Sequence, residues 1–168
     1  MKGLSFPLAR YSWRHASPSL FQSASLAWEV RIAAGVPIAL LVGFQGFRLP
    51  LEIVLHEWFL TETIPESMTW TGSNWDIVNG VFALAVCPWA TRYRALAWTA
   101  NIVGIVLLVN VGRVAMLSSP VPFGWDVTPK LELVAHLPYA FIVPICVGGA
   151  ALGHVLLTRL LATQPVDV

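Results

Sequence analysis

Residues 95–117 read ALAWTANIVGIVLLVNVGRVAML, an apolar run whose one charged member is Arg113. About 20 apolar residues suffice for a helix to cross the hydrocarbon core of a bilayer, so this stretch by itself reads as a membrane-spanning helix. Residues 135–157, AHLPYAFIVPICVGGAALGHVLL, read the same way. Two shorter runs, 32–47 and 75–90, approach span length when flanking aromatic residues are included. Composition agrees: 57% of the 168 residues are hydrophobic and 11% charged, with a mean hydropathy of +0.70. A soluble domain would be roughly 25% charged. The expected fold is therefore all-α: a polytopic membrane protein with four transmembrane helices near 32–47, 75–90, 95–117 and 135–157. If the 75–90 segment is buried or re-entrant instead, three spans remain and the chain ends face opposite sides.

Charge placement orients the four-span arrangement. Lys2, Arg10, Arg14, Arg31, Arg92, Arg94 and Arg159 fall on one side, while Glu52, Glu57, Glu62, Glu66, Asp76, Asp126 and Glu132 fall on the other. Lys and Arg collect on the cytoplasmic side of membrane proteins, so both termini are expected in the cytoplasm. The lead, 1–31, and the tail, 162–168, then flank a transmembrane domain at 32–161. Residue 32 follows a polar lead and no small-residue cleavage site follows Phe47, so the first run reads as a retained anchor and not a signal peptide. Trp28, Trp89 and Trp98 fall near the cytoplasmic boundary and Trp58, Trp70, Trp75 and Trp125 near the outer one, where indole is favoured.

The outer connections carry the unusual features. In RLPLEIVLHEWFL (48–60), Arg48, Glu52 and His56 recur at i, i+4 and i+8 among Leu, Ile, Val, Trp and Phe. That pattern predicts an amphipathic helix near 49–60, lying along the outer, periplasmic interface or capping the bundle. Pro50 sits in its first turn, where a missing N–H is harmless. Helices in lipid associate through small residues, which marks Gly35, Ala39 and Gly43 in the first span, and Gly149 and Gly153 in the fourth, as packing positions.

Polar groups at membrane depth need partners and are candidate functional residues. Asn79, Asn110 and Arg113 lie within about 10 Å of the outer ends of their spans, and Asp76 and His136 lie at the rim. With Arg48, Glu52 and His56 they form a candidate outer-leaflet ligand-binding cluster; the competing reading makes them structural pairs and interhelical hydrogen bonds. No catalytic signature accompanies them. His56-Glu57 is not followed by a second histidine, since position 60 is Leu, so HExxH is absent and no metal site is expected. Cys87 and Cys146 form no CxxC pair, and Ser118 and Ser119 lack a nucleophile-elbow pattern. A phosphate-cradling glycine loop and a basic nucleic-acid patch are also missing. No cofactor is expected; a haem or chlorophyll-type pigment held by His56 or His136 is the one alternative, imidazole being a common axial ligand.

The segments RLPLEIVLHEW (48–58), IPESMTWTG (64–72) and NWDI (74–77) resemble those of small, uncharacterised bacterial four-span membrane proteins over roughly the middle half of the chain. The resemblance implies the four-span fold and a bacterial inner membrane, and no activity. The expected function is a non-catalytic accessory subunit that assists assembly or stability of a larger inner-membrane complex, such as a respiratory or photosynthetic one, with membrane lipid and other integral subunits as partners and no nucleic acid. The alternative is a membrane-embedded enzyme or a binder of a small ligand or pigment through the outer cluster.

Overall fold

The structure is a computed structural model and describes residues 36–163. All regular structure among them is helical. Four apolar helices follow one another: α1, Ile38–Leu60; α2, Asp76–Trp89; α3, Arg94–Ser118; and α4, Tyr139–Thr163. The helices α1, α3 and α4 have 23, 25 and 25 residues and are long and apolar enough to cross a membrane. The shorter α2 is an 11-residue α-helix extended by the 3-residue turn Cys87–Trp89, about 21 Å at the helical rise against a hydrocarbon core of about 30 Å. Three helices, not four, therefore reach spanning length.

The expected break between a first span ending at Phe47 and a separate surface helix is not present. Pro50 removes one backbone donor and pushes on the preceding turn. The chain meets this by tightening into a 3-10 turn at Gln45–Phe47 and continuing as α-helix from Arg48 to Leu60. Arg48 and Glu52 consequently lie inside the bundle, each 1% exposed, where amphipathic spacing alone placed them at an interface. α1 ends where Glu62 takes a left-handed backbone, φ 54°, and the Thr63 N–H donates to Trp58 O at 2.8 Å, closing the last turn.

α4 is also displaced from its expected bounds. His136-Leu-Pro stays in the connecting loop, and the helix starts with a 3-10 turn and a π-turn at Val143–Val147 around Pro144. Such a turn absorbs the hydrogen bond that an interior proline cannot make. At its other end α4 runs to Thr163, past the boundary expected at 157.

The helices alternate in direction. Loops 61–75 and 119–138 meet at the last residue of α3, where the Ser67 and Ser118 hydroxyls are 2.7 Å apart and the Leu131 N–H donates to Ser118 O at 2.8 Å. Ile64, Met68 and Leu131 fold back from these loops onto Leu55 and Val114 and close that end. At the opposite end Leu41, Val42, Ala83, Ala97, Leu157 and Leu161 form a second apolar cluster. Along α3 the large side chains face outward: Ile102, Val106 and Val109 are 55%, 62% and 68% exposed, while Ala97, Ala100, Asn101 and Gly104 face the bundle. An exterior more apolar than the interior suits lipid rather than water, and small inward residues let helices approach.

The packing positions read from the sequence divide accordingly. Gly35 lies outside the described residues. A Cβ on Gly43 would meet Cys87 Sγ at 2.9 Å, and one on Gly153 would meet Gln45 Nε2 at 2.6 Å, whereas Gly149 has only an ordinary contact with Phe44. Ala39 O accepts a bond from Cys87 Sγ at 3.2 Å. A close approach of one helix to the backbone of another falls where the spacing did not mark it: a Cβ at Gly80 would stand 2.7 Å from the Leu49 backbone nitrogen. Gly80→Ala is therefore expected to destabilise the bundle by about 1–3 kcal/mol. Gly112→Ala, where nothing lies within 4 Å, should change stability by less than about 1 kcal/mol. Thermal unfolding in detergent, followed by circular dichroism, checks the pair, and equal effects would contradict the close crossing of α1 and α2.

Candidate functional site

Between the two apolar clusters lies a layer of buried polar side chains. α1 supplies Gln45, Arg48 and Glu52; α2 supplies Asp76 and Asn79; α3 supplies Asn101; α4 supplies His154; and Asn74 enters from the loop before α2. Arg48 is the hub. Its Nη1 donates to Asp76 Oδ1 in a buried ion pair, and its Nη2 lies 3.3 Å from His154 Nε2.

The bonds beyond His154 fix its tautomer. Thr158 Oγ1 donates to His154 O at 2.8 Å, so it accepts from Asn101 Nδ2 at 2.6 Å. Asn101 Oδ1 then accepts, and His154 Nδ1, 2.9 Å away, carries the proton. Nε2 is left as the acceptor of an imidazole with one proton, matching the guanidinium donor opposite it. On the other side of Arg48, Asn74 Nδ2 donates to Glu52 Oε1 at 2.7 Å and to Met68 O at 3.1 Å, while Asn74 Oδ1 accepts from the Asp76 N–H at 3.3 Å. This one asparagine orders the loop, α1 and the start of α2 together. Asp76 is thus paired with the guanidinium, while the second buried carboxyl, Glu52, is held by Asn74.

Above this layer, toward the capped end, is a cavity of about 190 Å³. Its walls are Leu51, Leu55 and Trp58 of α1, Ile64 and Met68 of one loop, Leu131 and Val134 of the other, Leu108, Val111 and Ala115 of α3, and Val143 and Cys146 of α4. Arg48, Glu52 and Asp76 form its charged end. Within the layer, Arg48 Nε, Glu52 Oε2, Gln45 Oε1 and both amide atoms of Asn79 are buried without a protein partner. A pocket of this kind, apolar walls with a few fixed polar groups at one end, is the usual form of a small-molecule site.

Of the eight residues expected to converge, Arg48, Glu52, Asp76 and Asn79 do so. Asn110 and Arg113 form a separate unit. Arg113 Nη2 donates to Asn110 Oδ1 at 2.9 Å, Asn110 Nδ2 donates to Ser73 O at 2.9 Å, and the guanidinium lies 5.7 Å from the Trp125 ring centre. His56 is stacked on Trp70, ring centres 4.2 Å apart, with Phe59 at 5.9 Å. His136 is exposed on the second loop. Four members of the layer, Gln45, Asn74, Asn101 and His154, were not marked by sequence. His154 had no local signal, because its partners lie 53 and 106 residues away.

Nucleophile-type side chains are engaged in packing. Cys146 sits in the cavity wall, and Ser119 Oγ donates to Ala115 O at 2.8 Å. Among the described residues no group of three or more His, Cys, Asp and Glu side chains is arranged to hold a metal ion.

The hub predicts strong coupling. Arg48→Met leaves the Asp76 carboxylate buried without its counter-charge and should cost about 3–5 kcal/mol. Adding Asp76→Leu to Arg48→Met should restore part of this loss, giving a double-mutant-cycle interaction above about 1 kcal/mol in unfolding measurements; additive effects would contradict the pairing. No protein-family model, no curated protein and no solved structure matches this chain.

Proposed function

We propose that this chain is a membrane-embedded binding protein for a small amphiphile, held in the cavity between α1, α3, α4 and the two loops. One observation carries the reading: an apolar cavity ends on a rigidly bonded charged cluster that retains unpartnered donors and acceptors. Apolar walls alone are what lipid-facing packing produces. Buried charges beside a cavity are costly, and in membrane proteins they mark function by default. The site lies in the outer leaflet of a bacterial inner membrane, α2 serves as a short fourth crossing, and the loop-capped end is periplasmic with both chain ends cytoplasmic. Arg92 and Arg94, in the connection at the opposite end, support that orientation.

Mild extraction followed by native mass spectrometry tests the proposal. A small molecule should accompany the chain in stoichiometric amount. Cys146→Trp, which fills the cavity, should remove it while leaving the helical content unchanged. A chain that carries no small molecule, or a filled variant that retains one, would overturn the reading.

An accessory role in a larger membrane complex is the second reading. It is favoured by Gly112, exposed on α3 with open space over its Cα, because small residues on a lipid-facing surface admit a neighbouring helix. A stoichiometric protein companion in the same extraction supports that role, and recovery of the chain alone opposes it.

A further inference from the structure

We infer that the cavity is entered sideways from the membrane, through the seam between α3 and α4 beside Gly112, and that its guest is the hydrocarbon tail of a membrane phospholipid; this rests on the binding role proposed above. Gly112 marks the gap. On α3 the cavity is lined by Leu108, Val111, Ala115 and Met116. Leu108, Ala115 and Met116 stand four, three and four positions from Gly112, which makes them its neighbours on the helix surface. Gly112 is itself exposed, and among the described residues nothing lies within 4 Å of where its Cβ would be. The wall therefore lacks a side chain at the position that its lining residues surround. Met116 and Val143 line the cavity and are nevertheless 55% and 48% exposed, so the cavity reaches the surface of the bundle between α3 and α4. Val143 opens the π-turn of α4, a departure from regular helix that frequently accompanies functional sites.

Both ends of the cavity are closed. Ile64, Met68 and Leu131 are buried and roof the loop end, while the hydrogen-bonded layer around Arg48 floors the other. Arg48 and Glu52 are buried as well, so a guest meets hydrocarbon on almost every side. That selects an alkyl chain over a polar head, because a head brought in from water would lose hydrogen bonds without replacement. Outside the gap the seam continues as an open furrow of about 340 Å³. Leu108 lines both furrow and cavity, and the furrow's apolar wall continues through Ile105, Ala151 and Val155. A chain lying along the furrow turns in at Leu108 and Gly112 while its head stays in the polar layer of the membrane. The volume sets the length that enters. A cavity of about 150 Å³ admits benzene, so 190 Å³ takes about seven or eight carbons of a tail on the same scale.

Photolabelling from within the lipid tests this. The full chain is placed in phosphatidylcholine nanodiscs in which a minor share of the lipid carries a diazirine near the end of one acyl chain; after irradiation, adducts are mapped by mass spectrometry. Leu55 and Ile64 line the cavity and are buried, so lipid outside the bundle does not touch them, whereas Val81, exposed on α2, reports ordinary lipid contact. Adducts on Leu55 and Ile64 should be comparable in amount to those on Val81. Gly112→Phe, which sets a ring in the gap, should lower the interior adducts at least about tenfold, the scale of overpacking a fitted site. Its helical content and its Val81 adducts should not change. Val143→Trp closes the gap from α4 and serves as the second closing variant.

Interior adducts that persist in a folded closing variant would place the entrance elsewhere, and their absence from the unmodified chain would exclude a lipid tail as the guest; either result overturns the inference. If native mass spectrometry in those cases still finds a small molecule that Cys146→Trp removes, the binding role stands without it. A chain with neither interior adducts nor a small molecule would remove both.

Discussion

The burial of one guanidinium governs this structure. Arg48 is always charged, is 1% exposed, and sits midway along a helix whose surroundings are apolar. Such a charge is tolerated only when it is paired with an opposite charge and hydrogen-bonded. The chain meets that requirement with Asp76 from α2 and His154 from α4. Asn101 and Thr158 hold the imidazole, and Asn74 holds Glu52 and the start of α2. Four helices are thereby brought to a common point by bonds whose geometry is specific, where dispersion alone would permit many helix rotations.

That requirement also explains the layered interior. Leu, Val and Ala fill both ends of the bundle, while the polar side chains occupy one level between them. The backbone accommodates the layer at glycines. A Cβ on Gly104 would collide with the His154 ring and with Asn79 Oδ1, and a Cβ on Gly80 would strike the backbone of α1. The cavity is a consequence of the same arrangement. α1 leans on α2 through the charged contacts, and the gap left toward α3 and α4 is roofed by Ile64, Met68 and Leu131 from the loops rather than filled. An apolar cavity beside buried unpartnered polar atoms is the feature from which the proposed binding role is argued.

Much of the helical architecture was legible in the amino-acid order. The runs at 95–117 and 135–157 correspond to α3 and α4, and the small residues Gly43 and Gly153 do lie at tight contacts. Asp76 and Asn79 stood out as polar groups at membrane depth and are members of the buried layer. The errors came from treating local pattern as location. Arg48, Glu52 and His56 share a helical face, which is the signature of an interfacial helix when no partner is in view. The partner of Arg48 is 28 residues away. His154 carried no local signal, and its partners Arg48 and Asn101 lie on other helices.

What the sequence determined by itself is whatever depends on nearest neighbours along the chain: apolar runs long enough to be membrane-crossing helices, and the prolines and glycines that punctuate them. Tertiary structure decided whether Pro50 ends a helix or merely tightens one turn, which carboxylate meets Arg48, and where a cavity remains. Those outcomes depend on contacts between residues distant in sequence, and the free energy of a buried charge is set by what surrounds it in space, a quantity that no local window of residues contains.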